Sequence, residues 1–457
     1  MSVRICVNTQ TPLVRFSPDL APDPGTRGPA VLSEMVEDRD YQFSPGGVTR
    51  MVYPLLRRMI NEKFVSDPCW VSLSPTGPQE AVLDGIRLSH VKIGKNATRG
   101  YGRIKEELWK VIHGLKGGAG KDGQPFWKKD YADFTYYNRH SADRMARLDR
   151  DLDFDLFYIH DFQQLAVGHM LGSLKPKLFR WHIPFDASIV PEDWKPFLLT
   201  YFNSYDMVMV SCQRYLEALR RFGFKGAVKY VFPYIDKAAY GSPAKDDLDG
   251  FCAKFGIGDK DRVILVVARL DPMKGQDGAI KAFGRVVRDH PDAKLVLAGN
   301  GSFSSSKDGI GLSKAERWKD ELLRLVRELG VQDRVVFTGH ISHRELEAAY
   351  TRCDMTLLPS HLEGFGLVVI EGWLYGKPAI VSSGAGVADI IVEGENGFLF
   401  DPGDTEGLAE KVRGLLEDPE TAARLGRGGH HSSEKCSLEE GLKRESEVLG
   451  ALMGNRE

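Results

Sequence analysis

Two acidic and two basic residues in the second half of the chain are spaced as a ligand site would space them. Glu363 and Glu371 open and close an E-x7-E run in "EGFGLVVIEGWLYGKPAIV". If the segment after Gly366 is helical, Leu367, Ile370, Glu371 and Leu374 share one face, so Glu371 lies where the chain should be buried. A carboxylate there needs partners, because removing it from water is costly unless it is well paired. With Glu363 in the loop and Glu371 on the inward face, two acceptors would be aimed at one ligand, and vicinal sugar hydroxyls offer donors to match. The plain structural alternative is a buried ion pair with Arg269 or Lys274.

Those two cations stand in "ARLDPMKGQ", at the carboxyl end of an apolar run and across a Pro-containing turn, with a helical pattern restarting near Gly275. Two positive groups beside a helix N-terminus suit a diphosphate, which the macrodipole and free N–H groups also favour. A solvated Arg and Lys on a turn would look the same. In the first half, "SPGGVTR" puts Gly46 and Gly47 just before a helix, where backbone amides could approach a ligand closely; a tight turn is the competing reading. The motif is not G-x-G-x-x-G, so a dinucleotide is not indicated. His182 closes the strand-like "KLFRWH", as a site residue or as a core histidine.

Elements able to position these groups follow from the apolar pattern. At 457 residues the chain exceeds what one core usually serves. The first half alternates runs such as "VRICVN", "CWVSL", "DLFYIH", "KLFRWHI", "DMVMVS" and "VKYVF" with helical patterns, among them one carrying Val48, Met51, Val52, Leu55, Leu56 and Met59. "PYIDKAAYGSPAKDDLDG", from Pro233, fits a linker. After it, "RVILVVARL", "KLVLAGNG", "RVVFTGH", "DMTLLPS" and "KPAIVSS" again alternate with helices, which is how parallel sheets buried on both faces look in sequence. The expected class is α/β, two doubly wound Rossmann-like domains facing across a cleft. Their bounds are 1–235, 236–430 and a C-terminal helical segment, 431–457, packing back towards the N-terminal domain.

Two further segments have their own readings. "YGRIKEELWKVIHGL" places Tyr101, Ile104, Leu108, Val111, Ile112 and Leu115 on one stripe, a core-packed helix rather than a membrane-surface one, whose polar face would be more uniformly basic. "GLKGGAGKDGQPFWKKD", from Gly114, reads as an exposed loop.

Composition removes several function classes. The 61 basic and 63 acidic residues nearly cancel, so no global field recruits nucleic acid. Six scattered cysteines include no C-x-x-C pair, which fits neither a zinc knuckle nor a disulfide framework and suits a reducing cytoplasm. The N-terminus alternates like a first strand and lacks a signal-peptide pattern, and no apolar run approaches the length of a transmembrane helix. "DLDFD" aligns Asp151, Asp153 and Asp155 ahead of a strand, but no metal is expected there because Arg269 and Lys274 already supply positive charge.

From about Asp261 to Leu425 the order "ARLDPMKG", "LVLAGNG", "VVFTGHIS", "LLPSHLEGFGLVVIE", "GKPAIVS" and "GENGFLF" resembles a family 4 glycosyltransferase of the GT-B fold. "FSPGGVTRMVYPLL", "FDLFYIHDFQQLA" and "KLFRWHIPFD" look most like its trehalose-forming branch. The helix after Glu371 departs from the family's usual pattern by continuing Gly372, Trp373, and Gly372 there would allow close packing.

The resemblance implies a retaining hexosyltransferase. Arg269 and Lys274 would neutralise the diphosphate of a nucleotide-sugar donor, and Glu371 would bind its ribose. Glu363, with the amides of Gly364, Phe365, Gly366 and Leu367, would hold the hexose. Gly47 would approach the distal phosphate, His182 would flank the anomeric centre, and Asn300, His340 and Ile341 would lie near the base. His160, Asp161 and Asp186 are acceptor-side candidates. The departing phosphate would take the acceptor proton, so a glycosidase-like carboxylate pair is unnecessary. No cofactor is required beyond a UDP-, ADP- or GDP-hexose substrate. The acceptor is expected to be a small soluble sugar, with trehalose as a product. Competing readings are a lipid or polysaccharide acceptor, a non-catalytic sugar-nucleotide binder, and a hydrolysing sugar-nucleotide epimerase. The base and the oligomeric state stay open, a homodimer included.

Overall fold

The computed structural model describes residues 2–17, 28–44, 46–115, 128–300 and 310–454. Most of the loop expected from Gly114 lies outside the described residues. The chain divides into two compact units: Met1–Phe232 with Gly441–Glu457, and Pro233–Glu440.

The first unit contains β1 (Val3–Thr9), β2 (Val14–Phe16), β3 (Ala30–Val31), β4 (Tyr41–Phe43), β5 (Val65–Leu73), β6 (Glu80–Leu83), β7 (Ile86–Val91), β8 (Leu156–His160), β9 (Lys177–Arg180), β10 (Met207–Val210) and β11 (Ala227–Tyr230). Nine of them form one sheet, β11-β10-β9-β8-β1-β5-β7-β6-β3, parallel at every step except β6 against β7. β2 and β4 pair separately. The central strands are buried on both faces, every residue of β8 and β10 included, as parallel sheets covered by helices require. The β6–β7 hairpin was not anticipated. Its signal is Asp84-Gly85, both at positive φ (50° and 77°), the pair a two-residue hairpin turn needs.

The helix Lys95–Ile112 buries Tyr101, Ile104, Leu108, Val111 and Ile112 in the core, as its stripe predicts. Leu115 does not join them: the helix ends at Ile112, and Leu115 is exposed. The helix Lys128–Leu152 follows. Two aspartates of the Asp-rich stretch ahead of β8, Asp153 and Asp155, form ion pairs. Arg4 Nη2 reaches Asp153 at 3.0 Å and Asp155 at 3.3 Å, and Lys175 Nζ reaches Asp153 at 2.9 Å.

The second unit contains β12 (Arg262–Val267), β13 (Ala293–Ala298), β14 (Val335–Gly339), β15 (Met355–Leu358), β16 (Ala379–Ser382) and β17 (Phe398–Phe400). They form an all-parallel sheet, β14-β13-β12-β15-β16-β17. Strand order reverses between β12 and β15, and a doubly wound sheet binds ligands outside the carboxyl ends at that point.

The stretch read as a linker is only partly one. A helix, Lys245–Phe255, begins inside it, with Asp246 and Asp247 in its first turn complementing the macrodipole and Gly256 closing it at φ 62°. At the far end, the helix Pro419–Ser432 belongs to the second unit, and the division at Glu440 falls inside the last helix, Leu438–Gly454. Among the described residues no helix is long and apolar enough to cross a membrane.

Candidate functional site

In the second unit, the loops leaving β12, β13, β14 and β15 carry the residues singled out above. Arg269 is exposed, two positions past β12. Asp271 accepts from Met273 N at 2.9 Å and starts the turn Pro272–Lys274. That turn is locked to the loop after β15: His361 N donates to Met273 O at 2.9 Å, and a side chain at Gly275 (φ 66°) would run into the Pro359 carbonyl. Only glycine combines that φ with that approach.

Lys274 forms an ion pair with Glu363, to which Ser360 Oγ also donates at 3.2 Å. Burial by itself would raise the Glu363 carboxyl; Lys274, with Arg269 beyond it, outweighs burial and holds the acid below its usual value. Arg269, Lys274 and Glu363 therefore form one electrostatic cluster with one positive charge in excess. The Glu363 backbone is tied to the loop after β16, through Glu363 N to Gly384 O (3.2 Å) and Gly386 N to Glu363 O (3.1 Å). Gly364, Phe365 and Gly366 are buried, and Gly366, at φ 107°, caps the helix Leu367–Leu374. Leu367, half-buried, is its first residue.

Glu371 lies on the buried face of that helix, 8% exposed. Its partners are phenols rather than cations: Tyr240 OH donates to Oε1 at 2.8 Å and Tyr350 OH to Oε2 at 2.7 Å. The ion-pair alternative is therefore met at Glu363, which pairs with Lys274, and not at Glu371, whose partners among the described residues are the two phenols. Gly372 does permit close packing, because a Cβ there would lie 2.7 Å from Thr356 Cγ2. Asn300 and His340 are exposed beyond β13 and β14, with Ile341 half-buried. The β13 loop is linked to the β12 loop by Leu270 N to Asn300 O and to the end of β14 by Gly299 N to Gly339 O, each 3.0 Å.

In the first unit, β8 ends at His160, and His182 lies two positions past β9. His160 Nδ1 and His182 Nε2 are 3.1 Å apart, with the rings nearly parallel. Burial, then Arg180, holds His182 well below its usual range; His160, fully buried, is lowered by burial and then by His182 and Arg180. Among the described residues His160 Nε2 is buried without a hydrogen-bond partner. Asp161 follows at φ 71°, an uncommon conformation for a residue with a side chain, and its carboxylate accepts from Phe162 N at 3.0 Å. Burial pushes the Asp161 carboxyl up to about 6. Behind this row Arg180 pairs with Glu445, to which Tyr158 OH donates at 2.9 Å.

Asp186 is placed differently from these. It accepts from Ser188 N at 2.8 Å and Ser188 Oγ at 2.7 Å, so its hydrogen bonds here serve a local turn. Gly47 is the exposed first residue of the helix Gly47–Asn61, and a Cβ added there meets nothing within 4 Å. The protein's own packing does not demand glycine at that position.

Ser360, Tyr240, Tyr350, Arg180 and Glu445 were not singled out from sequence. Arg180 carries the signal that exposed Glu371, a charge inside an apolar run. The tyrosines carry none, since phenols on a helix or strap look like ordinary packing.

The model for "Glycosyl transferases group 1" matches residues 251–432. Among curated proteins, a glycogen synthase from Mycobacterium tuberculosis is 37% identical over 164 residues, 36% of this chain and 36% of that relative, so the chain spans about a third of its length. Among solved structures, sucrose-phosphate synthase from Thermosynechococcus elongatus superposes with a TM-score of 0.71 at 18% identity, covering 99% of this chain and 100% of that one. The E. coli trehalose-6-phosphate structure bound with UDP-2-fluoro glucose gives 0.75 at 16% identity, covering 98% and 99%. At such identities the likeness establishes the fold, two Rossmann-like domains of the GT-B class.

Proposed function

We propose that this chain, whose residues 251–432 are a group 1 glycosyl transferase domain, transfers glucose from a nucleoside-diphosphate donor to a small soluble sugar with retention of anomeric configuration. Trehalose is the product when the acceptor is glucose. The observation that carries the reading is the Arg269–Lys274–Glu363 cluster at the carboxyl end of the second sheet. Loss of a nucleoside diphosphate builds negative charge on the leaving oxygens, and fixed cations stabilise that charge where it develops. Arg269 and Lys274 take this role, Glu363 orients Lys274 and accepts from the hexose hydroxyls, and the leaving phosphate accepts the acceptor proton. Glu371 takes the ribose.

On the acceptor side, Asp161 and His182 offer neutral or protonatable groups to sugar hydroxyls, with the fully buried His160 supporting His182 from behind. The open space at Gly47 supports close approach of the distal phosphate. The likeness to structures of trehalose-6-phosphate and sucrose-phosphate chemistry supports a soluble sugar acceptor and, through the UDP-2-fluoro glucose complex, a UDP donor. The six cysteines form no disulfide among the described residues, which fits a cytoplasmic enzyme.

Incubation with UDP-, ADP- and GDP-glucose and a panel of free sugars, followed by assay of released nucleoside diphosphate and of the disaccharide, tests the reading. Release that depends on a free sugar supports it. Binding of donor with no release under any acceptor would make the protein a sugar-nucleotide binder. The glycogen synthase match favours one second reading, growth of a polysaccharide end. Product that appears only with glucan would select it.

A further inference from the structure

Glu371 is held from both sides, and the manner of holding bears on what it can bind. Each carboxylate oxygen can accept about two hydrogen bonds. Oε1 takes one from Tyr240 OH at 2.8 Å and Oε2 one from Tyr350 OH at 2.7 Å, so one acceptor direction is left on each oxygen.

The two phenols are themselves anchored. Tyr350 is fully buried in the helix His343–Arg352, its ring stacked on Tyr375 at 5.6 Å and 17°. Its hydroxyl also lies 3.3 Å from Val368 O, but its single proton goes to the nearer and charged Glu371. Tyr240 is only half-buried, on a strap whose backbone is fastened residue by residue. Ala239 O meets His343 Nε2 at 2.7 Å, Gly241 N donates to Glu347 Oε1 at 2.6 Å, and Gly241 O accepts from Tyr375 OH at 2.9 Å.

Tyr375 thus supports both phenols, stacking on one and bonding the strap of the other. Among the described residues no cation is paired with Glu371, so its charge stays available to a ligand's hydroxyls. A glutamate free to rotate would lose side-chain entropy on binding; one fixed beforehand does not.

We propose that Tyr350 and Tyr240 are positioning residues of the donor site, a phenolic clamp that presents the two remaining acceptor directions of Glu371 to the adjacent hydroxyls of one ribose. This rests on the reading of Glu371 as the ribose ligand. The clamp makes the site selective for a ribonucleotide over a nucleotide lacking those hydroxyls, although neither tyrosine touches the ligand through a charged group.

Calorimetric binding of UDP and of its 2′,3′-dideoxy analogue to the full-length protein tests both layers; if the donor screen selects another base, that base's pair is used. Wild type should prefer the ribonucleotide roughly tenfold or more, the worth of a hydrogen bond to a charged acceptor. Glu371→Ala should abolish that preference. Tyr350→Phe should cut it at least about threefold and Tyr240→Phe by a smaller factor, each leaving dideoxy affinity within about twofold of wild type. A merely structural role would weaken both nucleotides equally, and that outcome overturns the clamp. Loss of preference in Glu371→Ala with full preference in both Tyr→Phe variants also overturns it while the ribose reading stands. No preference in wild type overturns the ribose reading and the clamp with it.

Discussion

The Tyr158 hydroxyl donates to Glu445 Oε2 at 2.9 Å across 287 positions of chain. Glu445 also pairs with Arg180, and both charged side chains are fully buried. A carboxylate from the last helix thereby completes the charge balance beneath the strands that lead to His160 and His182.

Removing one partner of that pair should be far worse than removing both. Glu445→Leu removes the buried carboxylate that pairs with Arg180 and should cost about 3–5 kcal/mol, whereas Arg180→Met with Glu445→Leu should recover most of it. Denaturant midpoints of the three proteins check this. Equal midpoints for Glu445→Leu and wild type would show that the pair contributes nothing.

Asp161 should give the protein a pH signature of definite sign. Unfolded, it loses its proton in the usual carboxylate range; folded, burial delays this to about 6. Between those values the folded state binds more protons, so this group's contribution to stability falls as pH rises, then levels off. His160 and His182 act oppositely, because their stability contribution is lost as pH falls below the usual imidazole value. Asp161→Asn removes the first slope alone. The stability difference between wild type and variant should vary up to a pH of about 6 and be constant above it. A difference constant across the whole range would contradict the buried-acid account.

The cation cluster predicts a graded loss of turnover. Arg269→Ala should lower kcat by about 10²–10³, the usual worth of one fixed group at a developing anion. Lys274→Met should cost more, because it also strips Glu363 of the charge that offsets its burial. Nucleoside diphosphate release under saturating donor measures both. Full turnover in Arg269→Ala would remove it from the leaving-group role.

Gly372, beside Glu371 on the same helix, gives a packing test read in stability. In an open helix Gly→Ala would stabilise by about 1 kcal/mol. Here the new methyl lies 2.7 Å from Thr356 Cγ2, and overpacking should instead destabilise by about 1–3 kcal/mol. Adding Thr356→Ser, which deletes that methyl, should restore part of the loss in thermal unfolding. A stabilised Gly372→Ala would refute the contact.

Much of this was legible in sequence because parallel strands buried on both faces read as apolar runs, and each predicted run of the second unit became a strand. The Asp-Gly hairpin at Asp84 was legible and overlooked. The linker was misread because Pro, Gly and Asp mark both loops and helix starts, and Asp246 and Asp247 serve the latter. Leu115 kept the helical period past the helix end, where period alone cannot register the chain leaving its axis.

By itself the sequence determined that Glu371 would be an inward charge, that Arg269 and Lys274 would leave one strand together, and that the chain would fold as two doubly wound sheets. These follow from local spacing, which sets faces and ends. Only the tertiary structure decided which charge met which. Lys274 went to Glu363, Glu371 to two phenols, and Arg180 to a residue of the last helix, because partners are chosen by packing between elements far apart in the chain, and no periodicity records that distance.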